Sequence, residues 1–340
     1  MRRNKHVTIR EVALSASVST ATVSRVLSGY GYVSADAKER VERSIQKLGY
    51  SPSFAAQSLR TKKSTVIGLV ITDIQNPFYP ELVSGVEEEA RLRGFSIILC
   101  NSQEKVEREI SYIEYLSSHR TNGILICAPG MVKRQRERLK AFNGPVVLLN
   151  ENQNDPDFFT ISTNNFEGGR KIGEHLKELK YKKIFYLGTE QEAQDGFPRY
   201  EGLKKGSNIK VEYMKESEDW IHPSKLVSAI LARAKPPFAV VAHNDIRAIA
   251  AMHEFMNRGY KVPQEIAIVG YDDIAMSELV NPALTTVNQK LREIAKLALD
   301  SLEALMDGAK KREILEVLPE LVVRDSSQLK SKKIMRKANK

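Results

Sequence analysis

Short apolar runs alternate with helical stretches along most of the chain, and this alternation limits the fold more than any other feature. The first four runs are 66–71, 95–100, 123–127 and 146–149. Runs of this length, nearly all apolar and separated by amphipathic stretches, are typical of buried parallel strands joined by crossover helices. The sequence therefore predicts an α/β unit built on a parallel sheet.

A second series of runs follows and predicts a second, similar lobe. Its strands are predicted at 183–187, 209–214, 238–242 and 265–269. Segments 159–163 and 284–289 are predicted to cross between the lobes and to form a hinge. We expect a core over residues 65–329, with lobe 1 at about 65–161 and 289–318 and lobe 2 at about 162–288 and 319–329. A two-lobed clamp of this kind closes on small molecules.

The first fifty residues have a different pattern, that of short helices. Thr8 and Glu11 have the spacing of a capping box, so a helix is predicted to begin at Ile9. The chain is expected to break near residues 15–17, and Ser19 is a second start signal. A third helix is predicted between the cap Ser34 and the stop residue Gly49.

The second of these helices has two distinct faces. Val23, Val26 and Leu27 fall on the side that would be buried. The side chains predicted to point outward are Thr20, Ala21, Ser24 and Arg25. Short side chains at a helix N-terminus allow close approach to base edges, and an arginine one turn later can pair bidentately with guanine. Residues 1–50 are therefore predicted to form a helix-turn-helix DNA-binding domain, followed by a hinge and linker at 51–64.

The distribution of charge separates this reading from an all-α domain with no nucleic-acid role. The first 64 residues carry twelve Lys or Arg against four acids, a net charge of +8, while the whole chain is only +10. A basic tail, 330–340, adds six Lys or Arg and no acid, so residues 65–329 carry a net charge of −4. Positive charge confined to the ends of a chain is what binding to a phosphate backbone requires.

Polar and aromatic residues follow the predicted strands, where ligands bind in open parallel sheets. They are Asp73, Asn76, Phe78, Tyr79, Asn150, His243, Asn244, Asp245, Tyr271, Asp272 and Asp273, while Arg199 and the only tryptophan, Trp220, lie in other loops. This mixture suits a polyhydroxylated or planar polar ligand, with a sugar as the better fit and a nucleobase next. For any single residue the alternative is a helix cap or a turn, as for Asn244 and Asp245.

Enzymatic functions find no support in the motifs. The first strand is followed neither by a Gly-x-Gly-x-x-Gly turn nor by a phosphate loop, and there is no nucleophile elbow. The six histidines include no pair at metal-binding spacing beside a third ligand. Asp272 and Asp273 are adjacent, but neighbouring side chains usually point apart. We expect a protein that is not an enzyme and that needs no cofactor or metal.

Two further observations bear on location. No apolar run approaches the roughly twenty residues that span a bilayer, and the charged N-terminus is unlike a secretory signal. Cys100 and Cys127 each end an apolar run and are predicted to be buried, reduced thiols. We expect a cytoplasmic protein without a membrane partner.

The residues from about Val7 to Arg324 resemble the lactose/galactose-repressor family of bacterial transcription factors. The pieces that carry the resemblance are the run from Val18 to Leu27, Leu48-Gly49-Tyr50-Ser51-Pro52, Asn76-Pro77-Phe78-Tyr79, Val269-Gly270-Tyr271-Asp272-Asp273 and Asn281-Pro282-Ala283-Leu284-Thr285-Thr286-Val287. The resemblance implies a homodimer that grips a near-palindromic operator, and a core like that of periplasmic sugar-binding proteins. The tail after Asp325 lacks a leucine heptad, so no tetramer is expected.

The resemblance also assigns roles to residues of the head. It implies that Thr20, Ala21 and Arg25 read bases, and that four hydroxyl residues lie near phosphates: Thr8, Ser19, Thr22 and Ser24. Residues 52–59 would form a hinge helix whose Leu59 wedges into the minor groove, which unstacks a base step and bends the duplex. The arginine usual two residues before that leucine is Gln57 here, and Lys62 and Lys63 are the nearest basic residues that could replace it.

In the core, the resemblance implies an effector site between the lobes. The matching positions are Phe78, Tyr79, Asn150, Arg199, Trp220, Asn244 and Asp272. Asn150 stands where an aspartate is more frequent, and the stretch 193–197 departs from the relatives, so the ligand cannot be copied from any of them.

The resulting hypothesis is a repressor whose operator affinity is controlled by a sugar or sugar derivative. Effector binding would close the lobes, shift how the first lobes of the dimer meet, and order or melt the hinge helices. Two alternatives stay open: a regulator controlled by a partner protein such as a phosphocarrier, and a cytosolic sugar-binding enzyme with a basic tail.

Overall fold

The computed structural model describes residues 7–28, 31–50, 65–127, 130–149, 157–189, 198–215, 221–309 and 313–328. The chain forms two compact units, Met1–Ser64 and Thr65–Lys340. The first unit is helical and the second contains all the strands of the described part. Each is considered by itself below.

The head contains the three helices that the sequence predicts: α1 (Ile9–Ser15), α2 (Thr20–Ser28) and α3 (Ala35–Leu48). The capping box of α1 is present, because Thr8 and Glu11 exchange hydrogen bonds in both directions. α3 begins after the side-chain cap of Ser34 and ends at Gly49, whose φ of 61° places it in the left-handed region that favours glycine. The local start and stop signals are therefore confirmed.

One small hydrophobic core holds the three helices together. Val12 of α1, Val23 of α2 and Val41 of α3 are all 0% exposed. Ala13 and Ala16 complete this core, and the larger aliphatic side chains pack around its edge. Because each helix contributes a fully buried valine, the outward face of α2 is held in a fixed orientation on the domain.

The second unit alternates strands and helices, as predicted. In chain order its elements are β1 (Val66–Ile71), α4 (Phe78–Leu92), β2 (Ser96–Asn101), α5 (Val106–Ser118), β3 (Ile124–Ile126), α6 (Lys133–Lys140), β4 (Val146–Leu149), β5 (Phe159–Thr163), α7 (Asn165–Glu178), β6 (Ile184–Gly188), α8 (Pro198–Ser207), β7 (Val211–Lys215), α9 (Ser224–Arg233), β8 (Phe238–Ala242), α10 (Asp245–Asn257), β9 (Ile266–Val269), α11 (Met276–Leu279), β10 (Thr286–Asn288), α12 (Leu291–Met306), β11 (Ile314–Val317) and β12 (Glu320–Val322). The predicted strands are all present, with ends that differ from the prediction by no more than two residues.

The strands form two parallel sheets, one for each lobe. The sheet of lobe 1 has the order β11-β5-β4-β3-β1-β2, and that of lobe 2 has the order β7-β6-β8-β9. In lobe 1, α4 and α12 cover one face of the sheet and α5 and α6 the other. Helices on both faces explain why the central strands β1, β3 and β4 are apolar along their whole length.

The chain passes between the lobes at three places in the described residues. The predicted crossing 159–163 needs a correction, because these residues are β5 itself, paired with β4 and β11 in the sheet of lobe 1. That crossing begins at Asn164, immediately before α7. The second passage follows the end of β10 at Asn288, and the third precedes the start of β12 at Glu320. β10 and β12 pair with each other as a short antiparallel ribbon. All three passages lie close together at one side of the cleft, as a hinge requires.

Candidate functional site

The outward face of α2 presents most of the residues predicted to read DNA. Thr20, Ala21 and Arg25 are exposed, as the prediction requires. Thr22 and Ser24 are half-buried. The face that remains accessible is therefore small, with one long cationic side chain, Arg25, one turn after the short ones. Such a face fits the width of a major groove.

The predicted phosphate contacts Thr8 and Ser19 both lie at helix N-termini. The Ser19 hydroxyl accepts a hydrogen bond from the backbone N–H of Thr22 at 3.1 Å and lies 2.9 Å from its hydroxyl. Thr8 donates from its hydroxyl to Glu11 at 3.0 Å. These side chains serve as caps, so the chemistry they bring to DNA is that of the helix N-terminus they organise, which attracts phosphate.

A groove of about 400 Å³ lies beside α2 and includes a residue that the sequence analysis missed. Ser19, Thr22 and Arg25 line one side, and Tyr32 stands on the other. Tyr32 is 90% exposed, although it is a large aromatic residue. The residues around Tyr32 in the sequence give no signal of this exposure. Leu59, the predicted minor-groove wedge, lies outside the described residues.

In the core, Arg199 belongs to the described part of the predicted effector site and is held by several contacts. Its Nε donates to Asn165 Oδ1 at 2.8 Å, and one terminal nitrogen donates to the carbonyl oxygen of His243. Its guanidinium carbon lies 3.8 Å from the centre of the Tyr271 ring. Three separate elements of lobe 2 therefore hold this cation. Neither Asn165 nor Tyr271 was predicted to have this role.

Asp272 lies beside this cation, immediately after β9. It is 6% exposed and its φ of 124° is unusual for any residue but glycine. Gln289 donates its side-chain amide to Asp272 Oδ1 at 2.6 Å. Burial raises the pKa of Asp272 well above its ordinary value, and the Arg199 guanidinium opposes that rise. Asp273 points elsewhere, to Arg324 at 2.7 Å, so the adjacent carboxylates point apart as predicted.

The two lobes approach each other at this point. Tyr79 of α4, in lobe 1, is close enough to Asp272 for its charge to act on the phenol, and burial raises the pKa of Tyr79. Partial burial and then the charge of Asp273 raise the pKa of Glu81, two residues further along α4. Phe78 and Tyr79 are only 4% and 9% exposed, so they form the floor of lobe 1 more than a free stacking surface.

Asn244 and Asp245 follow β8 and have different roles. Asn244 caps a helix, whereas Asp245 is buried and accepts hydrogen bonds from other segments. Asn244 accepts a hydrogen bond from the backbone N–H of Arg247 at 3.1 Å, which is the helix cap of α10. Asp245 is 0% exposed and accepts from the Ile274 N–H, the Ser277 hydroxyl and the Thr286 hydroxyl. It ties the loop after β9 to α10. The loop that carries Asp272 is thereby fixed.

An unpartnered polar atom lies beside Asp272. Among the described residues, Gln289 Oε1 is buried without a hydrogen-bond partner, while the amide of the same side chain donates to Asp272. Buried polar groups normally find partners, so this oxygen is suited to a donor group of a polar ligand.

Each of the two units matches a known protein family. Residues 8–53 match the family described as bacterial regulatory proteins, lacI family, and residues 174–327 match the periplasmic binding protein-like domain. The chain is 35% identical over 327 residues to the HTH-type transcriptional repressor PurR of Mannheimia succiniciproducens, covering 94% of this chain and 98% of the relative. It is 34% identical over 330 residues to the ribose operon repressor of Halalkalibacterium halodurans, covering 94% and 97%.

The protein belongs to the lacI family of bacterial regulatory proteins. A crystal structure of the lac repressor dimer bound to operator and the anti-inducer ONPF is similar to this chain, with a TM-score of 0.84 and 27% identity, covering 96% of this chain and all of that one. The predicted family and fold class, a helix-turn-helix head with a two-lobed parallel-sheet core, are confirmed. The protein is a DNA-binding transcriptional repressor.

Parts of the predicted effector site of this repressor lie outside the described residues. They are Asn150, Trp220 and the divergent stretch 193–197. In the described part of the repressor, no three His, Cys, Asp or Glu side chains are placed to hold a metal ion. No described helix has both the length and the apolar character needed to cross a membrane.

Proposed function

We propose that a small polyhydroxylated molecule, a sugar or sugar derivative, binds between the two lobes of this repressor and controls its affinity for operator DNA. The observation that carries the proposal is the fixed Arg199 guanidinium, stacked on Tyr271 and bonded to Asn165, beside the buried Asp272 at the end of lobe 2 that faces Tyr79 of lobe 1. Lobe 2 contributes a fixed cation and a buried carboxyl group, and lobe 1 contributes the floor formed by Phe78 and Tyr79.

This combination matches the chemistry of a sugar. A hydroxyl group both donates and accepts, so it can bridge a guanidinium and a carboxylate that are held apart. Gln289 Oε1, beside Asp272, is a buried acceptor without a partner, and a hydroxyl group of the ligand can donate a hydrogen bond to it. The name of the ribose operon repressor, 34% identical to this chain, is consistent with a sugar effector.

On DNA, we propose that α2 enters the major groove. Thr20 and Ala21 then contact base edges and Arg25 pairs with guanine, in line with the exposure of all three. Thr8, Ser19, Thr22 and Ser24 contribute to phosphate contacts through the N-terminal ends of α1 and α2. Leu59 is proposed to enter the minor groove at the operator centre.

We propose further that the repressor acts as a homodimer on a near-palindromic operator. Large apolar side chains are exposed in both lobes of the core: Leu99 and Tyr115 in lobe 1, and Met256, Met276 and Leu279 in lobe 2. Leu279 is 76% exposed, the highest value of the five. Met276 and Leu279 lie one turn apart on α11, and apolar side chains grouped on a surface are typical of a protein interface. The lac repressor structure is that of a dimer.

In the proposed mechanism, the effector binds one arrangement of the lobes better than another. Its binding shifts the population towards that arrangement, which changes how well the two heads of a dimer grip DNA. The shift can be no larger than the difference in effector affinity between the two arrangements. The scheme allows the effector either to release the repressor or to recruit it.

The test uses full-length protein and an operator selected from random duplex DNA. Thermal shift is measured with D-ribose and other unmodified sugars, sugar phosphates, sugar acids and nucleobases. Any compound that shifts the melting temperature is then titrated into the repressor–operator complex, with fluorescence anisotropy as the readout. A sugar that stabilises the protein and changes operator affinity supports the proposal. Stabilisation without a change in operator affinity contradicts the allosteric part.

A panel in which no compound stabilises the protein contradicts the small-molecule proposal as a whole. Calorimetry with a phosphocarrier protein then tests the alternative that the sequence leaves open, control by a partner protein. Turnover of a bound sugar, followed by chromatography of the mixture, would instead indicate an enzyme.

A further inference from the structure

One of the three contacts that hold the Arg199 side chain comes from the first turn of α7, a helix with no predicted part in effector binding. Asn165, the first residue of α7, is 5% exposed and accepts from Arg199 Nε at 2.8 Å. An arginine side chain has four rotatable bonds, so an unheld guanidinium at the mouth of a cleft would sample many positions. The bond to Asn165 selects one of them.

Glycines one turn further along α7 let the neighbouring groups come close. A Cβ atom at Gly169 would lie 2.0 Å from the carbonyl oxygen of Arg199, far inside any real contact. The reverse contact is equally tight, because a Cβ at Gly202 of α8 would lie 1.9 Å from the carbonyl oxygen of Phe166. The two helices therefore touch backbone to backbone. This contact sets the position of the first turn of α8, and so of the Arg199 backbone.

Gly168 likewise leaves space for the ring of Tyr271, on which the Arg199 guanidinium stacks. A Cβ at this position would lie 2.2 Å from the hydroxyl oxygen of Tyr271. Tyr271 is 1% exposed and its ring lies 3.8 Å from the guanidinium carbon of Arg199. Within about one helical turn, Asn165 accepts a hydrogen bond from the Arg199 guanidinium and Gly169 leaves space for the Arg199 backbone. Gly168 leaves space for the Tyr271 ring on which the guanidinium stacks.

We propose that Asn165, Gly168 and Gly169 are positioning residues for effector recognition, which hold Arg199 over Tyr271 before the ligand arrives. The inference rests on the proposed function, in which Arg199 contacts the effector. A side chain that is already ordered loses less conformational entropy on binding, so these three residues increase effector affinity without contacting the ligand. It also keeps the guanidinium in one orientation, which limits which hydroxyl geometries can be recognised.

The first test needs no ligand. Full-length protein labelled with ¹³C and ¹⁵N in arginine is studied by NMR, and Arg199→Lys identifies the Arg199 signals. In native protein we expect Arg199 signals displaced by the ring current of Tyr271 and a slowly exchanging Nε proton. Asn165→Ala is expected to move these signals towards the values of exposed arginines, and Asn165→Asp, which keeps an acceptor, is expected to restore them. Lys177→Ala, an exposed change in α7, is the matched control.

The outcome that overturns the proposal is an unchanged Arg199 spectrum in Asn165→Ala. A merely structural role for Asn165 would lower the melting temperature without moving the Arg199 signals and without rescue by aspartate. Should Asn165→Ala fail to fold, Asn165→Gln, which moves the amide by one methylene, gives the same comparison. Gly169→Ala tests the backbone contact separately and is expected to displace the Arg199 signals as well.

The second test separates this proposal from the proposed function. The same variants and Arg199→Ala are titrated with D-ribose and with each compound that stabilises native protein. We expect Arg199→Ala to abolish the response and Asn165→Ala to weaken affinity by roughly tenfold, the size of a hydrogen bond to a charged group. If Arg199→Ala retains full affinity, the effector role of Arg199 is wrong. If only Asn165→Ala retains it, the positioning role alone is wrong.

Discussion

Gln289 donates its side-chain amide to Asp272 at 2.6 Å, and its backbone oxygen accepts from the Thr163 hydroxyl at 3.3 Å. Gln289 follows β10, and Thr163 ends β5 at another passage between the lobes. One buried residue thus joins two of the connecting segments to the carboxylate at the cleft. Under the proposed function, a ligand that displaces Asp272 would act directly on the hinge.

This relationship makes Asp272 the most informative residue for effector response. Asp272→Asn keeps a residue that tolerates positive φ but removes the carboxylate. We expect it to reduce effector affinity by about tenfold, since an unmade hydrogen bond in a buried site costs roughly 1–3 kcal/mol. Affinity for operator DNA without effector should be unchanged. The measurement is calorimetric titration with the stabilising compound, followed by anisotropy on the operator.

Asp273→Asn is the matched control, because Asp273 faces Arg324 and Asn288 instead of Arg199. Its effector affinity should stay within a factor of about three of native, even if the protein becomes less stable. Equal losses in both variants would show that the loop as a whole, not the Asp272 carboxylate, determines binding.

The raised pKa of Asp272 predicts how its contribution to stability depends on pH. Burial keeps this carboxyl protonated in the folded protein at pH values where it is ionised in the unfolded chain. Its contribution therefore falls as pH rises above the ordinary value of 3.8 and levels off above the folded-state pKa. The neutral variant Asp272→Asn should gain stability relative to native protein across that window. Urea unfolding of both proteins at several pH values measures the difference, and a constant difference would contradict the prediction.

Asp245 is expected to matter for stability more than for binding. It is 0% exposed and accepts from three donors, so Asp245→Ala leaves the Ile274 N–H and the hydroxyls of Ser277 and Thr286 without an acceptor. We expect a loss of about 3 kcal/mol in the free energy of unfolding, measured in urea. Asn244→Ala, which removes only the cap of α10, should cost about 1 kcal/mol. Equal costs would mean that the Asp245 network contributes little.

Asn244 also shows where sequence reasoning succeeds. The helix caps Thr8, Ser34 and Asn244 act on backbone groups three residues away, so their signals are local and readable. The strands are readable because burial on both faces leaves uninterrupted apolar runs. Both kinds of signal come from neighbours in sequence. They were enough to predict the order of the elements and the two-lobed core.

The contacts that shape the site are long-range, and for that reason the sequence did not reveal them. Asn165 meets Arg199 across 34 positions, and Asp245 meets Thr286 across 41. Nothing in the residues around Asn165 distinguishes an arginine acceptor from an ordinary residue in the first turn of a helix. The exposure of Tyr32 is likewise a property of how the head folds, since a tyrosine between Gly31 and Val33 is equally compatible with burial.

The proposed dimer predicts a strong effect of charge on the exposed apolar surface of lobe 2. Met276 and Leu279 are 52% and 76% exposed on α11. The double change Met276→Lys and Leu279→Lys should favour monomers at micromolar concentration, because it places two charges in an apolar interface. Analytical ultracentrifugation measures the mass. Leu318→Lys, at a residue 64% exposed outside these elements, is the control and should leave the dimer intact. A double variant that sediments as native protein does would place the interface elsewhere.

Arg25 and Lys5 are predicted to differ in what they contribute to DNA binding. Arg25 is exposed on α2 one turn after Thr20 and Ala21, where a guanidinium can pair with one guanine. Arg25→Ala should therefore weaken operator binding by about 1–3 kcal/mol while leaving binding to random duplexes nearly unchanged. Anisotropy titrations on the selected operator and on a scrambled duplex measure the two affinities.

Lys5 belongs to the basic N-terminal segment, which has no predicted base contact. Lys5→Ala should weaken binding to both duplexes by the same factor, because a phosphate contact carries no sequence information. It should also reduce the slope of log affinity against log salt by about 1, since one fewer counterion is released. The pair of variants thus separates recognition from electrostatic attraction within one domain. If Arg25→Ala lowers both affinities equally and reduces the salt slope as Lys5→Ala does, Arg25 contacts phosphate, and base reading must rest on Thr20, Ala21 and the exposed Tyr32.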